Sequence, residues 1–193
     1  MSDRARLRDL LVERSLELGD FTLASGARSS YYVDARRTTM TALGQLLVGR
    51  VCLDLLESSG LRPTHLGGLT LGADPVTYAM AHESAHRGGA LDGFTVRKEA
   101  KSHGTGRRIE GGLPADARAL VVEDTMTTGK SALSAVAAVR THGAEVVGVL
   151  VLVDREEGGA ARIDDEDLPL LCAFTATELL EAAGANGGPS GAR

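Results

Sequence analysis

Two segments of this chain have no polar face. Arg118 to Val122 and Val146 to Val153 are apolar at nearly every position, and a strand of that kind must be covered on both sides. Between them, Lys130 to His142 carries Leu133, Val136, Ala137 and Val139 at helical spacing, and Gly143 ends that stretch. Two doubly buried strands with a helix between them predict an α/β fold, with a central, mainly parallel sheet flanked by helices. In such sheets ligands bind beyond the carboxyl ends of the strands. The residues that follow strands therefore carry the functional argument.

The rest of the pattern agrees. Residues 4–18 predict a helix stopped by Gly19, and residues 40–58 a second with Leu43, Leu46, Leu47, Val51 and Leu55 on one face. Residues 20–37 read as an extended hairpin or loop. His65 to Leu71 reads as a strand, followed by a helix to about Arg87 with Asp74 as its cap and Pro75 at its first position. Leu91 to Lys98 and Leu170 to Phe174 are further strands. Ala100 to Gly112 is polar and glycine-rich, and residues 183–193 read as a solvated tail. At 193 residues the chain predicts one domain.

Composition removes several function classes. The net charge of −5 gives no electrostatic footprint for nucleic-acid binding. The longest apolar run is short of the roughly 20 residues of a membrane span, and no signal-peptide core is visible. Cys52 and Cys172 form no CxxC and read as buried free thiols. These features predict a cytoplasmic protein with neither nucleic acid nor membrane as partner. Only three of the 21 basic residues are lysine: Lys98, Lys101 and Lys130. Compositional bias accounts for the arginines, so the places where lysine persists are informative.

Three motifs carry chemistry. Gly129-Lys130-Ser131 ends like a P-loop, but the glycine required five residues earlier is Asp124, whose carboxylate would repel a triphosphate. His82-Glu83-Ser84-Ala85-His86 spells the HExxH of zinc hydrolases. It lies at the end of its helix, with no third ligand evident, where histidines interact favourably with the helix dipole. The third runs from Leu120 to Ser131. A buried strand ends in Glu123 and Asp124, a hydroxyl-rich turn of Thr125, Met126, Thr127, Thr128 and Gly129 follows, and a helix starts at Lys130 and Ser131. The turn and helix start suit one phosphate group, while the acids suit sugar hydroxyls or a magnesium ion. Together they ask for a ribose 5-phosphate.

That segment resembles the phosphoribosyl-diphosphate motif of type I phosphoribosyltransferases. Arg97-Lys98-Glu99-Ala100-Lys101-Ser102-His103-Gly104-Thr105-Gly106 is similar to the catalytic loop of the orotate phosphoribosyltransferases. Phe21 to Gly26, with Ser29-Ser30-Tyr31-Tyr32-Val33-Asp34, is similar to their N-terminal hood. The resemblance implies a type I phosphoribosyltransferase fold over residues 1–183, a small hood formed mainly by 1–38, and a flexible tail at 184–193. It implies transfer of ribose 5-phosphate from phosphoribosyl diphosphate to orotate, giving orotidine 5′-monophosphate and pyrophosphate in pyrimidine biosynthesis. Magnesium would be bound mainly through the diphosphate substrate, with no metal site of the protein's own.

By the same resemblance, Lys101, His103 and Asp124 are catalytic. Arg97, Lys98, Lys101 and His103 contact the pyrophosphate, Glu123 and Asp124 hold the ribose hydroxyls, and Thr125 to Ser131 cradle the 5′-phosphate. Thr127, Arg155, Tyr32 and Val33 serve orotate. A homodimer is implied, with loop 97–112 shared across its interface. The chain departs from the family pattern at Ala24 and at Gly72-Ala73-Asp74, where many members carry a lysine. Lys130 has no role in the pattern. Three alternatives stay open: a purine phosphoribosyltransferase of the same fold, a non-catalytic sensor of phosphoribosyl diphosphate, and a zinc hydrolase using His82 and His86.

Overall fold

The computed structural model describes residues 1–22, 28–99 and 108–186. Among these, the main sheet has the order β5-β4-β3-β6-β7-β8. Strands β3 (His65–Leu69), β4 (Asp92–Val96), β6 (Arg118–Met126), β7 (Glu145–Asp154) and β8 (Leu170–Thr175) run parallel. Only the edge strand β5 (Ile109–Gly111) is antiparallel, against β4. The chain builds β3 first, adds β4 on one side, then crosses to β6 and continues outward to β7 and β8. The order therefore reverses between β3 and β6, and the crevice beyond their carboxyl ends is the expected place for a ligand.

The two-sided burial inferred from sequence is visible residue by residue. On β6, Leu120 and Val122 enter one core cluster while Ala119 and Val121 enter another; on β7, Leu150 and Leu152 part from Val149 and Val151 in the same way. The first cluster is closed by α1 (Asp3–Arg14), α3 (Ala42–Ser59), α4 (Ala73–His86) and α7 (Ala176–Asn186). The second is closed mainly by α5 (Lys130–His142), with Ile163 from the short α6 (Gly159–Asp164). Apart from this sheet, β1 (Leu16–Thr22) and β2 (Arg28–Val33) form an antiparallel hairpin, and α2 (Arg36–Thr39) follows.

Several boundaries differ from the sequence reading. The first helix ends at Arg14, not at Gly19. Ser15 is fully buried against Thr38, Oγ to Oγ1 2.7 Å, and its carbonyl accepts from Asp34 N–H, so the chain turns there into the hairpin. Asp74 does not cap α4. Its carboxylate lies in the first turn and accepts from the hydroxyls of Thr70 at 2.7 Å and Thr95 at 2.9 Å. β6 extends through Met126, so the two carboxylates lie within the strand and not after it. Residues 109–111 pair as β5 inside a stretch read as irregular. α6 and α7 were missed, and α7 takes in residues 183–186 that the sequence reading gave to the tail.

Candidate active site

At the reversal point lies a cavity of about 280 Å³. Its floor is the end of β6, with Glu123, Asp124 and Thr125, and the start of α5 at Ser131. One wall is the Thr70-Leu71-Gly72 turn after β3, and the opposite wall is the hood segment Tyr32 to Arg36. Lys98, just past β4, closes a corner. Four separate stretches of sequence thus meet around one void.

The carboxylates are the electrostatic centre. Burial, reinforced by the neighbouring Asp124 charge, raises the Glu123 carboxyl to a pKa of about 7, against hydrogen bonds from the Ser131 hydroxyl and the Ala132 N–H. One oxygen, Oε2, is buried and has no hydrogen-bond partner. Burial also raises Asp124, with the Arg36 charge acting the other way. The Thr125 hydroxyl is likewise buried without a partner. Unsatisfied acceptors and a hydroxyl at the bottom of a cavity are the signature of a site built for polar ligand groups.

The turn that follows is shaped for close approach. Gly129 sits at φ 76 and leads α5, whose start has no side-chain cap, so apart from the Ala132 N–H, which serves Glu123, the helix start can offer N–H groups to an anion. Gly72 approaches Asp124 so closely that a Cβ there would lie 2.3 Å from Oδ1. This bears on one departure from the family pattern, in Gly72-Ala73-Asp74. A lysine at residue 72 would have to displace the Asp124 carboxylate.

The other expected residues divide into those the fold brings to the cavity and those it does not. Lys98, Glu123, Asp124, Thr125, Ser131, Tyr32 and Val33 line it. The Met126 side chain is buried in the second core cluster, and its carbonyl accepts from the Arg155 N–H. Thr127, Thr128, Gly129 and Lys130 lie on the adjoining turn, with Lys130 exposed. Arg97 turns toward Glu110 on β5, 3.5 Å away. Arg155 is buried under the Tyr31 ring, 4.9 Å from its centroid, and pairs with Glu157 at 2.8 Å. Ala24, Lys101 and His103 lie outside the described residues.

Sequence reasoning gave no site role to Asp34, Arg36 and Thr70, which line the cavity, while Leu71 was expected there as a residue following a strand. Asp34 and Arg36 form a 2.8 Å pair on the cavity wall, and that pair holds the Asp34 carboxyl below its usual range. The signal was present in the hood motif, which ends in Asp34, but nothing in it revealed that the following arginine faces the acids of β6. The zinc reading fails on Glu83. The carboxylate it needs as a base is buried and accepts from Arg87 Nε at 2.9 Å.

Comparison with known proteins agrees with this geometry. The family model of the phosphoribosyl transferase domain matches residues 53–168. Orotate phosphoribosyltransferase of Aquifex aeolicus is 45% identical over 183 residues, 93% of this chain and 99% of that protein. The structure of Mycobacterium tuberculosis H37Rv orotate phosphoribosyltransferase with Fe(III) dicitrate superposes with a TM-score of 0.82 at 45% identity, covering 92% of this chain and 99% of the other. The same enzyme with 5-phospho-α-D-ribosyl 1-diphosphate gives 0.78 at 41% identity, covering 92% and 99%. A domain match over more than half of the chain, and relatives that share nearly its full length, place it: the chain belongs to the phosphoribosyltransferase family, among the orotate phosphoribosyltransferases.

Proposed function

We propose that this chain transfers ribose 5-phosphate from phosphoribosyl diphosphate to orotate, releasing pyrophosphate. The observation that carries the reading is the pair Glu123 and Asp124, half-buried near the end of β6 and facing a void at the reversal point of the sheet. The turn from Thr125 to Ser131 takes the 5′-phosphate, and the two carboxylates accept from the ribose hydroxyls, which satisfies Glu123 Oε2. The orotate enzymes among its relatives favour this base over a purine.

In the reaction the bond from C1 of the ribose to the pyrophosphate oxygen breaks and a bond from C1 to the orotate ring nitrogen forms. That nitrogen gives up its proton, which the departing pyrophosphate can take. Positive charge grows on the sugar, beside the β6 acids, and negative charge grows on the leaving group. Lys98 faces that leaving group at the cavity corner. Arg97, which pairs with Glu110 in the single chain, and Lys101 and His103 join it by family resemblance alone. The N–H groups around Gly72 serve where relatives use a lysine. Arg155 holds the orotate carboxylate, with Tyr32 and Val33 against the ring.

The donor set fits magnesium held through the substrate. Two adjacent carboxylates, one with a free buried oxygen, suit an ion that binds through one or two carboxylates plus phosphates. Among the described residues no group of three potential ligands stands ready to hold a metal alone. Bound magnesium would neutralise diphosphate charge.

A homodimer is part of the proposal. What supports it is apolar surface on and beside α3: Met40, Leu43 and Leu46 are 52%, 43% and 42% exposed. No helix among the described residues is long and apolar enough to cross a membrane, and a cytoplasmic setting fits the two free cysteines. The test is loss of orotate absorbance with phosphoribosyl diphosphate and magnesium. Turnover with orotate and none with adenine or hypoxanthine is expected; the reverse would overturn the assignment.

A further inference from the structure

Arg155 is buried to an unusual degree for a residue that must meet a substrate. Its side chain is 4% exposed. The Tyr31 ring covers the guanidinium, and the Ser29 hydroxyl lies 3.5 Å from Nη2. A buried guanidinium without an anion is an uncompensated charge, and structures avoid that. Here the anion is supplied from within. The Glu157 carboxylate lies 2.8 Å from Nη2 and is, among the described residues, the acidic group paired with Arg155.

The position of that contact matters. A guanidinium takes a carboxylate two-pronged through Nη2 together with either Nε or Nη1, so both modes use Nη2. Glu157 occupies this shared nitrogen. Nε, the other prong of one mode, is buried without any partner. Half of a carboxylate fork is therefore open and the other half is filled by the protein's own carboxylate.

The backbone holds Glu157 in this position. Glu156 adopts φ 60, a left-handed conformation that costs a non-glycine residue energy. Its N–H donates to Asp154 Oδ1 at 2.9 Å, and its own carboxylate accepts from the Thr177 N–H and hydroxyl at 2.9 and 2.6 Å. The turn from Asp154 to Glu157 is thus pinned to the start of α7. The two partners differ in freedom. Arg155 is enclosed, whereas Glu157 is 31% exposed and can turn to water.

We propose that Glu157 is a built-in stand-in for the substrate carboxylate: it neutralises Arg155 in the empty enzyme and must be displaced from Nη2 when orotate binds. The proposal rests on the assignment of Arg155 to the orotate carboxylate. Glu157 therefore weakens orotate binding and hastens departure of the carboxylate-bearing product. Phosphoribosyl diphosphate, bound elsewhere, does not feel it.

The experiment compares wild type, Glu157→Gln, Glu157→Asp and Arg155→Lys by steady-state kinetics and by melting with and without orotate. Removing a competitor that occupies the site most of the time lowers the apparent constant by the occupied fraction, so Glu157→Gln lowers the orotate KM by about three- to tenfold. The KM for phosphoribosyl diphosphate stays within about twofold on the same argument. Glu157→Gln also melts lower than wild type without orotate and gains more from it. Glu157→Asp, with a shorter reach, lies between. An orotate KM unchanged or raised in Glu157→Gln, with Arg155→Lys raising it, overturns the stand-in role alone. An orotate KM unchanged in Arg155→Lys overturns the Arg155 assignment, and the proposal with it.

Discussion

At the scale of single residues, Glu123 links chemistry to stability. Its carboxyl is raised from 4.5 to about 7 in the folded chain. Below pH 4.5 both folded and unfolded chains hold the proton and burial carries no penalty. Between these values the unfolded chain has released it and the folded chain has not, so stability falls as pH rises. The ligand-free protein should lose melting temperature from about pH 4.5 to about 7 through this group. Glu123→Gln should flatten that slope and raise the melting temperature above pH 7, while turnover falls by an order of magnitude or more. A melting curve series across pH checks both parts; an unchanged slope would show that Glu123 is solvated. Gly72 makes a complementary point. Its missing side chain is what lets the turn after β3 rest against Asp124, so that residue and its carboxylate neighbour are shaped as one unit.

At the scale of elements, Asp74 joins three of them. Its carboxylate binds Thr70, in the turn after β3, and Thr95, on β4, while sitting in the first turn of α4. Asp74→Ala frees that turn. It should raise the KM for phosphoribosyl diphosphate by about tenfold, equivalent to roughly 1.4 kcal/mol, and leave the orotate KM nearly unchanged. Equal changes in both constants would mark Asp74 as a general packing residue. The elements also show what was legible in the sequence. α5 and the apolar strands were readable because helical periodicity, a terminal glycine and doubly buried runs are local signals. The helix end at Arg14 was not, because the cause is a contact between Ser15 and Thr38, 23 residues away. The same holds for Asp74, which looks like a cap until Thr95 is brought beside it. Within the site, Glu123 and Asp124 were found because they close an apolar strand run, although β6 continues past them to Met126, and Lys98 because it follows β4. Arg36 was not, because its place beside the acids of β6 is set by tertiary packing, which the motif around Tyr32 and Val33 does not reveal.

At the scale of the whole molecule, the surface and the closure of the chain carry the consequences. Leu43 and Leu46 lie exposed on α3. If they face a second copy, each contributes about 1 kcal/mol from the part of its surface still exposed, so the double change Leu43→Glu, Leu46→Glu, which also puts two charges into that face, should convert a dimer into a monomer in sedimentation analysis. A monomeric wild type would refute the dimer. The chain is also closed upon itself. Arg4 grips Glu178 through two hydrogen bonds of 2.7 and 2.8 Å, stands 4.6 Å above the Phe174 ring, and thereby clasps α1 to α7. Leu7 and Leu11 of α1 share a core cluster with Leu179 of α7. A ribosome delivers α7 more than 160 residues after α1, so at synthesis rates of about 5–20 residues per second the face of α1 that meets Leu179 waits many seconds for its cover, while α3 reaches the rest of that helix early. The hairpin that walls the cavity hangs from that helix. The cavity wall thus depends on a clasp between two helices far apart in the chain, so a chain cut short of α7 should hold that wall less firmly.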